Sequence, residues 1–425
     1  MSKNRKLTVR KSEGLMPEFR FPEFIEPWEM TPLSIVCDVY RGGAFSKADI
    51  DENGTELCIH YGELFTKYNE VIKTIYSKTN KSDGIKSKIG DILMPSSDVT
   101  PNGLVKASAI LLDNVVLGGD MNILRPKIII NSIFLSYLLN YSRSEIIKLV
   151  SGTTVKHIYP SQIVTCQLPI ISNALEQQKI ASCLSSLDEI IAAHSQKLEL
   201  LKDHKKSLLQ NLFPKRGEKV PRYRFDEFVK DGDWVERKLE ELAKRGSGHT
   251  PNKKASNYYN GGIKWVSLAD SNKLDNRYIY DTKIQISKEG IENSSAVLHP
   301  AGTVILSRDA GVGKSAVLYS EMAVSQHFIV WVCEESKLSN WFLYYVFQIL
   351  KPVFESIAVG STIKTIGLPY FKELLIVVPS INEQLKIASC LFSMDELIAA
   401  QAEKIEQLKL HKKGLMQGLF PKMID

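Results

Sequence analysis

The sequence predicts an α+β protein with a pseudo-twofold internal repeat, in which two strand-rich domains are separated by two long helices that form an antiparallel coiled coil. Two observations support this. Residues 176–215 recur as residues 383–422, a shift of 207, with about 27 of 40 positions identical. Each copy also places apolar residues at alternating intervals of four and three, the seam of a coiled coil.

The two seams share one register. The first copy carries Ile180, Leu184, Leu187, Ile191, Leu198, Leu201 and Leu208, and the second carries Ile387, Leu391, Met394, Ile398, Ile405, Leu408 and Leu415. Polar residues interrupt both seams at the same two places, His194/Gln401 and Lys205/Lys412. Such residues cost stability but fix register, so we expect them to align the two helices. No second ligand near His194 supports a metal site.

The repeat extends beyond the helices. The openings of the two halves match, with Arg20-Phe21 and Trp28 answered by Arg224-Phe225 and Trp234, and residues 151–158 (SGTTVKHI) match residues 359–366 (VGSTIKTI). Residues 35–130 and 240–338 show no convincing match. A shared frame with divergent middles suggests one scaffold that presents two different surfaces. The predicted segments are a tail (1–15), domain one (16–170), helix one (171–215), a linker (216–229), domain two (230–380) and helix two (381–425).

Composition fits a folded chain of at least two domains. The chain has 425 residues, of which 44% are hydrophobic and 24% charged. No apolar run approaches the roughly 18 residues of a membrane span, and no apolar run follows the basic N-terminus, so we expect a cytoplasmic protein. The six cysteines lack the close spacing of zinc or redox pairs. The net charge is +6, but five basic residues, Lys3, Arg5, Lys6, Arg10 and Lys11, lie in the N-terminal tail, so bulk charge is weak evidence for a nucleic-acid partner.

Each domain is predicted to combine strands with one helix. β-branched and aromatic runs at 261–270, 301–307, 315–320 and 327–333 predict strands, and a helix follows at about 339–357. The first half repeats this plan more loosely, with strands at 90–93 and 106–112 and a helix near 132–148.

Basic and aromatic residues in the polar loops are candidate DNA contacts, because arginine and lysine pair with phosphates or guanine edges. In the first domain these are Arg41, Lys47, Lys86, Lys88 and Lys106, and in the second His249, Lys253, Lys254, Tyr258, Tyr259, Arg277, Arg308 and Lys314. Lys156 and Lys364 join them because they occupy the same place in the repeated SGTTVK/GSTIK segment, where phosphate contact or a domain–helix hinge would explain them.

None of the catalytic motifs considered is complete in this sequence. Gly313-Lys314-Ser315 resembles the end of a phosphate-binding loop, but Arg308 stands where the loop needs a glycine. No Pro-Pro dipeptide, HExxH, paired-cysteine or GxSxG motif occurs. We therefore predict no catalytic residue and no metal site.

The repeated EQxKIA and LFPK helices, each preceded by a G(S/T)T(V/I)K segment and a divergent domain, resemble the specificity subunits of type I restriction-modification systems from about Met16 onward. The resemblance implies two target-recognition domains, each reading one half of an asymmetric bipartite DNA target. It also implies helices that bind methyltransferase subunits, two of them by expectation, and association with restriction/translocase subunits. S-adenosylmethionine, ATP and magnesium would then be bound by those partners and not by this chain.

Two alternatives stay open at this point. A coiled-coil adaptor would join proteins without base readout, and a self-sufficient DNA-modifying enzyme would need catalytic residues that the motif search did not find.

Overall fold

The computed structural model describes residues 15–43, 45–127, 130–309, 311–360 and 364–422, so all of the predicted basic flexible tail (1–15) except Leu15 lies outside the described residues. The chain divides into two compact units, residues 1–195 with 403–425, and residues 196–402. The two repeat helices are α6 (Ala174–Asn211) and α10 (Ile381–Leu419). Each therefore contributes its first half to one unit and its second half to the other.

Short strands and helices precede α6 in the first unit. The strands are β1 (Glu29–Pro32), β2 (Cys37–Arg41), β3 (Glu56–Ile59), β4 (Val71–Ile72), β5 (Ser77–Thr79), β6 (Ile92–Pro95), β7 (Ser97–Asp98), β8 (Ser108–Ile110), β9 (Val116–Leu117), β10 (Met121–Pro126), β11 (Lys156–His157) and β12 (Gln167–Ile170). The helices are α1 (Leu33–Val36), α2 (Glu63–Thr66), α3 (Ser132–Tyr141), α4 (Arg143–Ile147) and α5 (Pro160–Ile163).

The second unit is built in the same order. Its strands are β13 (Val235–Lys238), β14 (Ala243–Ser247), β15 (Tyr259–Val266), β16 (Tyr278–Ile279), β17 (Ile284–Ile286), β18 (Leu298–His299), β19 (Val304–Ser307), β20 (Ser315–Leu318), β21 (Met322–Val324), β22 (Phe328–Cys333) and β23 (Leu375–Val378). Its shorter helices are α7 (Lys288–Glu292), α8 (Asn340–Ile357) and α9 (Leu368–Lys372).

The divergent middles share one topology. The main sheet of the first unit has the order β2-β10-β6-β8-β4, and that of the second has the order β14-β22-β19-β20-β16. The strand pair β1-β12 is answered by β13-β23, and the small sheet β5-β3-β9 is answered by β17-β15-β21, to which β18 is added. The predicted α+β class with an internal repeat is confirmed, and the repeat covers the residues in which no sequence match was found.

Both repeat helices complete the core of each unit. In the first unit Ile180 and Leu184 of α6 lie in one apolar cluster with Leu419 and Phe420 from the end of α10. In the second unit Leu212 and Phe213, which follow α6, share a cluster with Ile387 and Leu391 from the start of α10. Within each unit the paired helix halves therefore run antiparallel. The predicted seam positions are buried or half-buried along both helices.

The repeated Glu-Gln pair at the start of each helix anchors its unit. Glu176 accepts two hydrogen bonds from the Arg20 guanidinium, at 2.9 and 2.8 Å. The neighbouring Gln177 accepts the backbone N–H of Asn131, the residue that caps α3. Glu383 and Arg224 repeat the bidentate pair in the second unit, also at 2.9 and 2.8 Å. Because these carboxylates are almost fully buried, this pairing satisfies charges that would otherwise be costly.

A half-buried lysine and aspartate and a buried tyrosine join the helices in the first unit. The Lys412 ammonium of α10 lies 2.7 Å from the Asp188 carboxylate of α6 and 3.1 Å from Glu70. The Tyr137 hydroxyl of α3 donates to Asp188 at 2.5 Å. Burial raises the pKa of Asp188, and burial together with this carboxylate raises the pKa of Tyr137. The polar seam residue Lys412 thus pairs with a specific residue of α6, Asp188, which aligns the two helices within this unit.

The second unit repeats this triad with one change. Lys205 lies 2.6 Å from Asp395, and the Tyr345 hydroxyl donates to Asp395 at 2.8 Å. The register of the parallel strand pairs places Arg277 at the position that Glu70 occupies in the first unit. Lys412 therefore has a second carboxylate nearby, that of Glu70, whereas the equivalent position near Lys205 holds an arginine.

This difference predicts unequal costs for matched substitutions. Asp395→Asn should destabilise its unit by about 3–5 kcal/mol, because it leaves the half-buried Lys205 ammonium without its carboxylate. Asp188→Asn should cost about 1–3 kcal/mol, because Glu70 still faces Lys412. Hydrogen exchange of the amides of each unit in mild denaturant measures both losses. Equal losses in the two variants would contradict this reading of the triads.

Candidate nucleic-acid interface

One end of each main sheet gathers the connecting loops. In the first unit, Arg41 at the end of β2 pairs in register with Asn122, and Met121 pairs with Pro95 at the end of β6. The loops at this end, residues 41–43, 95–98, 118–121 and 156–159, are named the loop rim. In the second unit the loop rim comprises residues 247–250, 307–309, 324–327 and 364–366, as the equivalent strand pairings require.

Basic and aromatic side chains meet on the loop rim of the first unit. The exposed Arg41 guanidinium lies 5.9 Å from the Tyr159 ring centroid, and the Tyr159 ring stacks on His157 with centroids 6.0 Å apart. Asp120 lies 3.9 Å from Arg41, a loose contact between two half-exposed side chains. An exposed guanidinium beside aromatic rings can bind a phosphate or a guanine edge.

The repeated SGTTVK segment forms a small hairpin beside this rim. Ser151 and His157 exchange backbone hydrogen bonds at 3.0 and 2.8 Å, and Val359 and Thr365 do the same at 3.1 and 2.9 Å in the second unit. Lys156 therefore lies one residue before the closing pair, as Lys364 does. The Lys156 ammonium donates to the Gly152 carbonyl at 2.7 Å. Residues 361–363 of the second segment lie outside the described residues.

The loop rim of the second unit contains a cleft of about 530 Å³. Its floor is apolar and includes Trp265 and Tyr259, and burial raises the pKa of the Tyr259 hydroxyl, which donates to the Pro251 carbonyl at 2.7 Å. Its polar lining includes the exposed Gln326, whose amide oxygen accepts the Thr250 hydroxyl. The polar groups above this apolar floor could contact the edge of a flat ring such as a base.

A second polar group on this rim is held in place by an acid. The His327 ring nitrogen Nδ1 lies 2.8 Å from Asp309, and the Ser307 hydroxyl donates to the Asp309 carbonyl at 2.6 Å. The neighbouring Arg308 is half-buried, and its carbonyl accepts the Ile366 backbone N–H from the hairpin. Asp309 thus orients His327 at the mouth of the cleft.

The two loop rims carry different side chains on the same backbone. Strand register makes Gly118, Gly119 and Asp120 of the first unit equivalent to Ser325, Gln326 and His327 of the second. Gly42 and Gly248 are also equivalent, and a Cβ atom on either would collide with a backbone oxygen at 1.8 or 2.1 Å. The close approach of strands is therefore retained while the side chains of the two rims differ.

Some of the DNA contacts predicted from the sequence lie on or next to the loop rims, and others lie elsewhere in the units. The rims or their adjoining loops hold Arg41, Lys156, His249, Lys253, Lys254, Tyr258, Tyr259, Arg308 and Lys364. Lys47 is exposed in a short 3-10 helix, and Lys86 pairs with Glu56 at 2.8 Å. Lys88 precedes β6 and therefore lies at the opposite end of the sheet from the rim. Lys106 and Lys314 occupy equivalent positions before β8 and β20.

Arg277, in the bend before β16, packs against the repeat helix. Its guanidinium stacks over the Phe392 ring of α10 at 4.6 Å and lies 3.9 Å from Glu396. These contacts give Arg277 a packing role against the repeat helix, and its contact with DNA stays a prediction.

Several polar residues of the rims were not among the sequence candidates. Gln326 and Asp309 are neither basic nor aromatic, the residue types from which the sequence candidates were drawn, and His327 was not among those candidates. The available signal was the polar pair Ser325-Gln326 directly before the predicted strand at 327–333.

The described residues give no sign of a metal or membrane site. Among them, no group of three or more His, Cys, Asp or Glu side chains could hold a metal ion. No helix in the described ranges is both long and apolar enough to span a bilayer.

Comparison with known proteins gives a consistent match. A family model described as the type I restriction modification DNA specificity domain matches residues 25–203 and again residues 231–410. The putative type I restriction enzyme MjaX specificity subunit of Methanocaldococcus jannaschii is 24% identical over 408 residues, covering 94% of each chain. The MjaVIII specificity subunit of the same organism is 24% identical over 412 residues, covering 90% of this chain and 92% of that subunit.

Solved structures share the fold. The S subunit of a type I restriction-modification system from M. genitalium superimposes with a TM-score of 0.61 at 17% identity, covering 96% of this chain and 100% of that one. A second chain, from a structural study of complex assembly in a type I system, gives a TM-score of 0.57 at 17% identity and covers 95% of this chain.

Proposed function

The chain belongs to the type I restriction modification DNA specificity domain family, and we propose that each of its two units reads one half of a split DNA target. It is a non-catalytic specificity subunit, the component that recognises DNA for a type I restriction-modification system. Neither the adaptor nor the self-sufficient enzyme is favoured by these similarities. The two loop rims are the proposed reading surfaces.

This proposal rests mainly on one observation: the two units share one sheet topology but carry different side chains on their loop rims. The main sheets share one strand order, whereas Gly118 and Gly119 stand where the second rim has Ser325 and Gln326. Two readers of the same sequence would need the same side chains. Different side chains on one scaffold support an asymmetric target with two unlike halves.

The helices are the proposed partner surface. Ile190 of α6 and its repeat equivalent Leu397 of α10 are exposed by 46% and 56%, on faces that point away from the seams. Matched apolar residues on both repeat helices support two copies of one partner, which we assign to the methyltransferase subunits. Restriction/translocase subunits would join this complex. S-adenosylmethionine, ATP and magnesium would be bound by these partners.

Competition binding tests the proposal with the chain purified together with its methyltransferase. A duplex that carries the split target should be bound at least 1,000-fold more tightly than a scrambled duplex at the same salt. Gln326→Ala should cost about 1–3 kcal/mol on the correct duplex, because the amide of glutamine pairs with an adenine edge. The loss should vanish when that one base pair is changed.

The exposed Lys127, at the other end of β10 from the rim, provides the matched control. Lys127→Gln should leave the preference unchanged. Equal binding of target and scrambled duplexes by the unmodified complex would favour the adaptor.

A further inference from the structure

A basic cleft in the first unit is not explained by its packing. The cleft has a volume of about 590 Å³ and lies between the sheet, α3, α4 and the second half of α10. Five cationic side chains and a single carboxylate, Glu70, line it. The cations are Lys106, Arg143, Lys409, Lys412 and Lys413.

Lys106 is the group that most needs a ligand. It is half-buried, and among the described residues no hydrogen bond or ion pair involves its ammonium group. Glu70, the only carboxylate in the lining, lies 3.1 Å from Lys412. Burial lowers the pKa of Lys106, so a partly desolvated ammonium group lies in this cleft. An anion bound in the cleft would supply the missing charge.

The second unit places cations at the same positions. Ala109 pairs with Ile92 in the first main sheet, and Val317 pairs with Val304 in the second, so Ala109 and Val317 are equivalent. Lys106 and Lys314 each lie three residues earlier in the chain and are therefore equivalent too. A shift of 208 relates Arg143 to Lys351, whose side chain lies beside Gly313, next to Lys314. The helix repeat relates Lys409, Lys412 and Lys413 to Lys202, Lys205 and Lys206.

The position of the cleft indicates what it binds. Its lining residues Asn102 and Gly103 belong to the loop that begins at β7, and β7 pairs with β11 of the hairpin beside the loop rim. The cleft and the rim therefore lie along one loop of the same unit. The rims differ between the units, as base readers should, while the cations recur. A ligand that is the same at both half-sites fits this pattern, and the DNA backbone is such a ligand because every nucleotide carries the same phosphate.

We propose that this cleft, and its counterpart in the second unit, bind phosphate groups and so position DNA on the loop rims without reading its sequence. The proposal rests on the proposed function. The phosphate could come from the duplex backbone or from a free nucleotide, and the experiment separates these sources.

The test measures binding of a target duplex and a scrambled duplex by the methyltransferase-bound complex over a range of salt concentrations. Lys106→Gln should weaken both duplexes by the same several-fold factor. It should also make the slope of log affinity against log salt shallower by about 0.9, the contribution of one phosphate contact. Lys106→Arg should restore binding, and Lys106→Gln/Lys351→Gln should lower the slope by about twice as much. The methylated motif should stay the same.

Calorimetry with pyrophosphate in the absence of DNA identifies the source. Saturable pyrophosphate binding that Lys106→Gln abolishes, with duplex affinity unchanged, would assign the phosphate to a free nucleotide. The proposal is overturned if Lys106→Gln changes neither duplex nor pyrophosphate binding, or if it releases only the methyltransferase. If the unmodified complex bound target and scrambled duplexes equally, the proposed function would fail, but the effect of Lys106 on the scrambled duplex could still be read.

Discussion

Replacing Phe420 with alanine should unfold the first unit selectively, although this residue lies almost 400 positions after Trp28, against which its ring packs. The Phe420 ring is fully buried, with its centroid 6.2 Å from that of Trp28, 5.8 Å from Phe134 and 5.2 Å from Tyr141. Truncating a buried phenylalanine leaves a cavity and costs about 3–5 kcal/mol. That is a large part of the stability of a domain this size. Amide hydrogen exchange should show the loss in residues 15–195.

Phe213 provides the matched control for this experiment. It packs against Trp234 and Phe342 in the second unit, with ring centroids 6.0 and 5.2 Å apart. Phe213→Ala should therefore loosen the second unit and spare the first. If each variant instead destabilised the unit that precedes it in the sequence, the assignment of helix ends to units would be wrong.

Exchanging residues 230–380 for the corresponding segment of a related specificity subunit should change one half of the recognised sequence and leave the other half intact. The exchange replaces the whole second loop rim. It retains Arg224, Glu383 and Lys205, so the donor segment needs equivalents of Trp234 and Tyr345 to keep the helix contacts. Sequencing that detects modified bases reads both halves in the same experiment.

A change in both halves of the motif would contradict the modular account, because it would mean that the second unit contributes to reading both sites. A chimera that methylates nothing can be checked by its expression and hydrogen exchange. Its fold should match that of the parent, since the Arg224–Glu383 pair is retained and Phe213 can pack against the donor's equivalents of Trp234 and Phe342.

The sequence predicted the repeat helices well because their evidence is local and periodic. Positions such as Ile180 and Leu391 follow the coiled-coil spacing, and both are buried. The polar seam residues Lys205 and Lys412 were expected to align the helices, and each pairs with an aspartate of the other helix within its unit. The aspartates and tyrosines that complete these triads were not predicted, since sequence spacing does not show which distant residues meet.

The sheets and the loop rims were harder to predict from the sequence. Sheet order depends on contacts between strands that are distant in the chain, and the middles of the two halves have diverged too far to align. Phe213 and Phe420, which follow the ends of the two repeat helices, are core residues of their units. Only their packing beside Trp234 and Trp28 reveals this role.

The central claim is that two unlike loop rims read two unlike halves of one DNA target. The most direct measurement compares adenine methylation across the host genome with and without this gene, by sequencing that detects modified bases. The account predicts the loss of methylation at a single split motif whose two halves differ. Loss at an uninterrupted or palindromic motif would contradict it, as would unchanged methylation when the chain is expressed and bound to its methyltransferase.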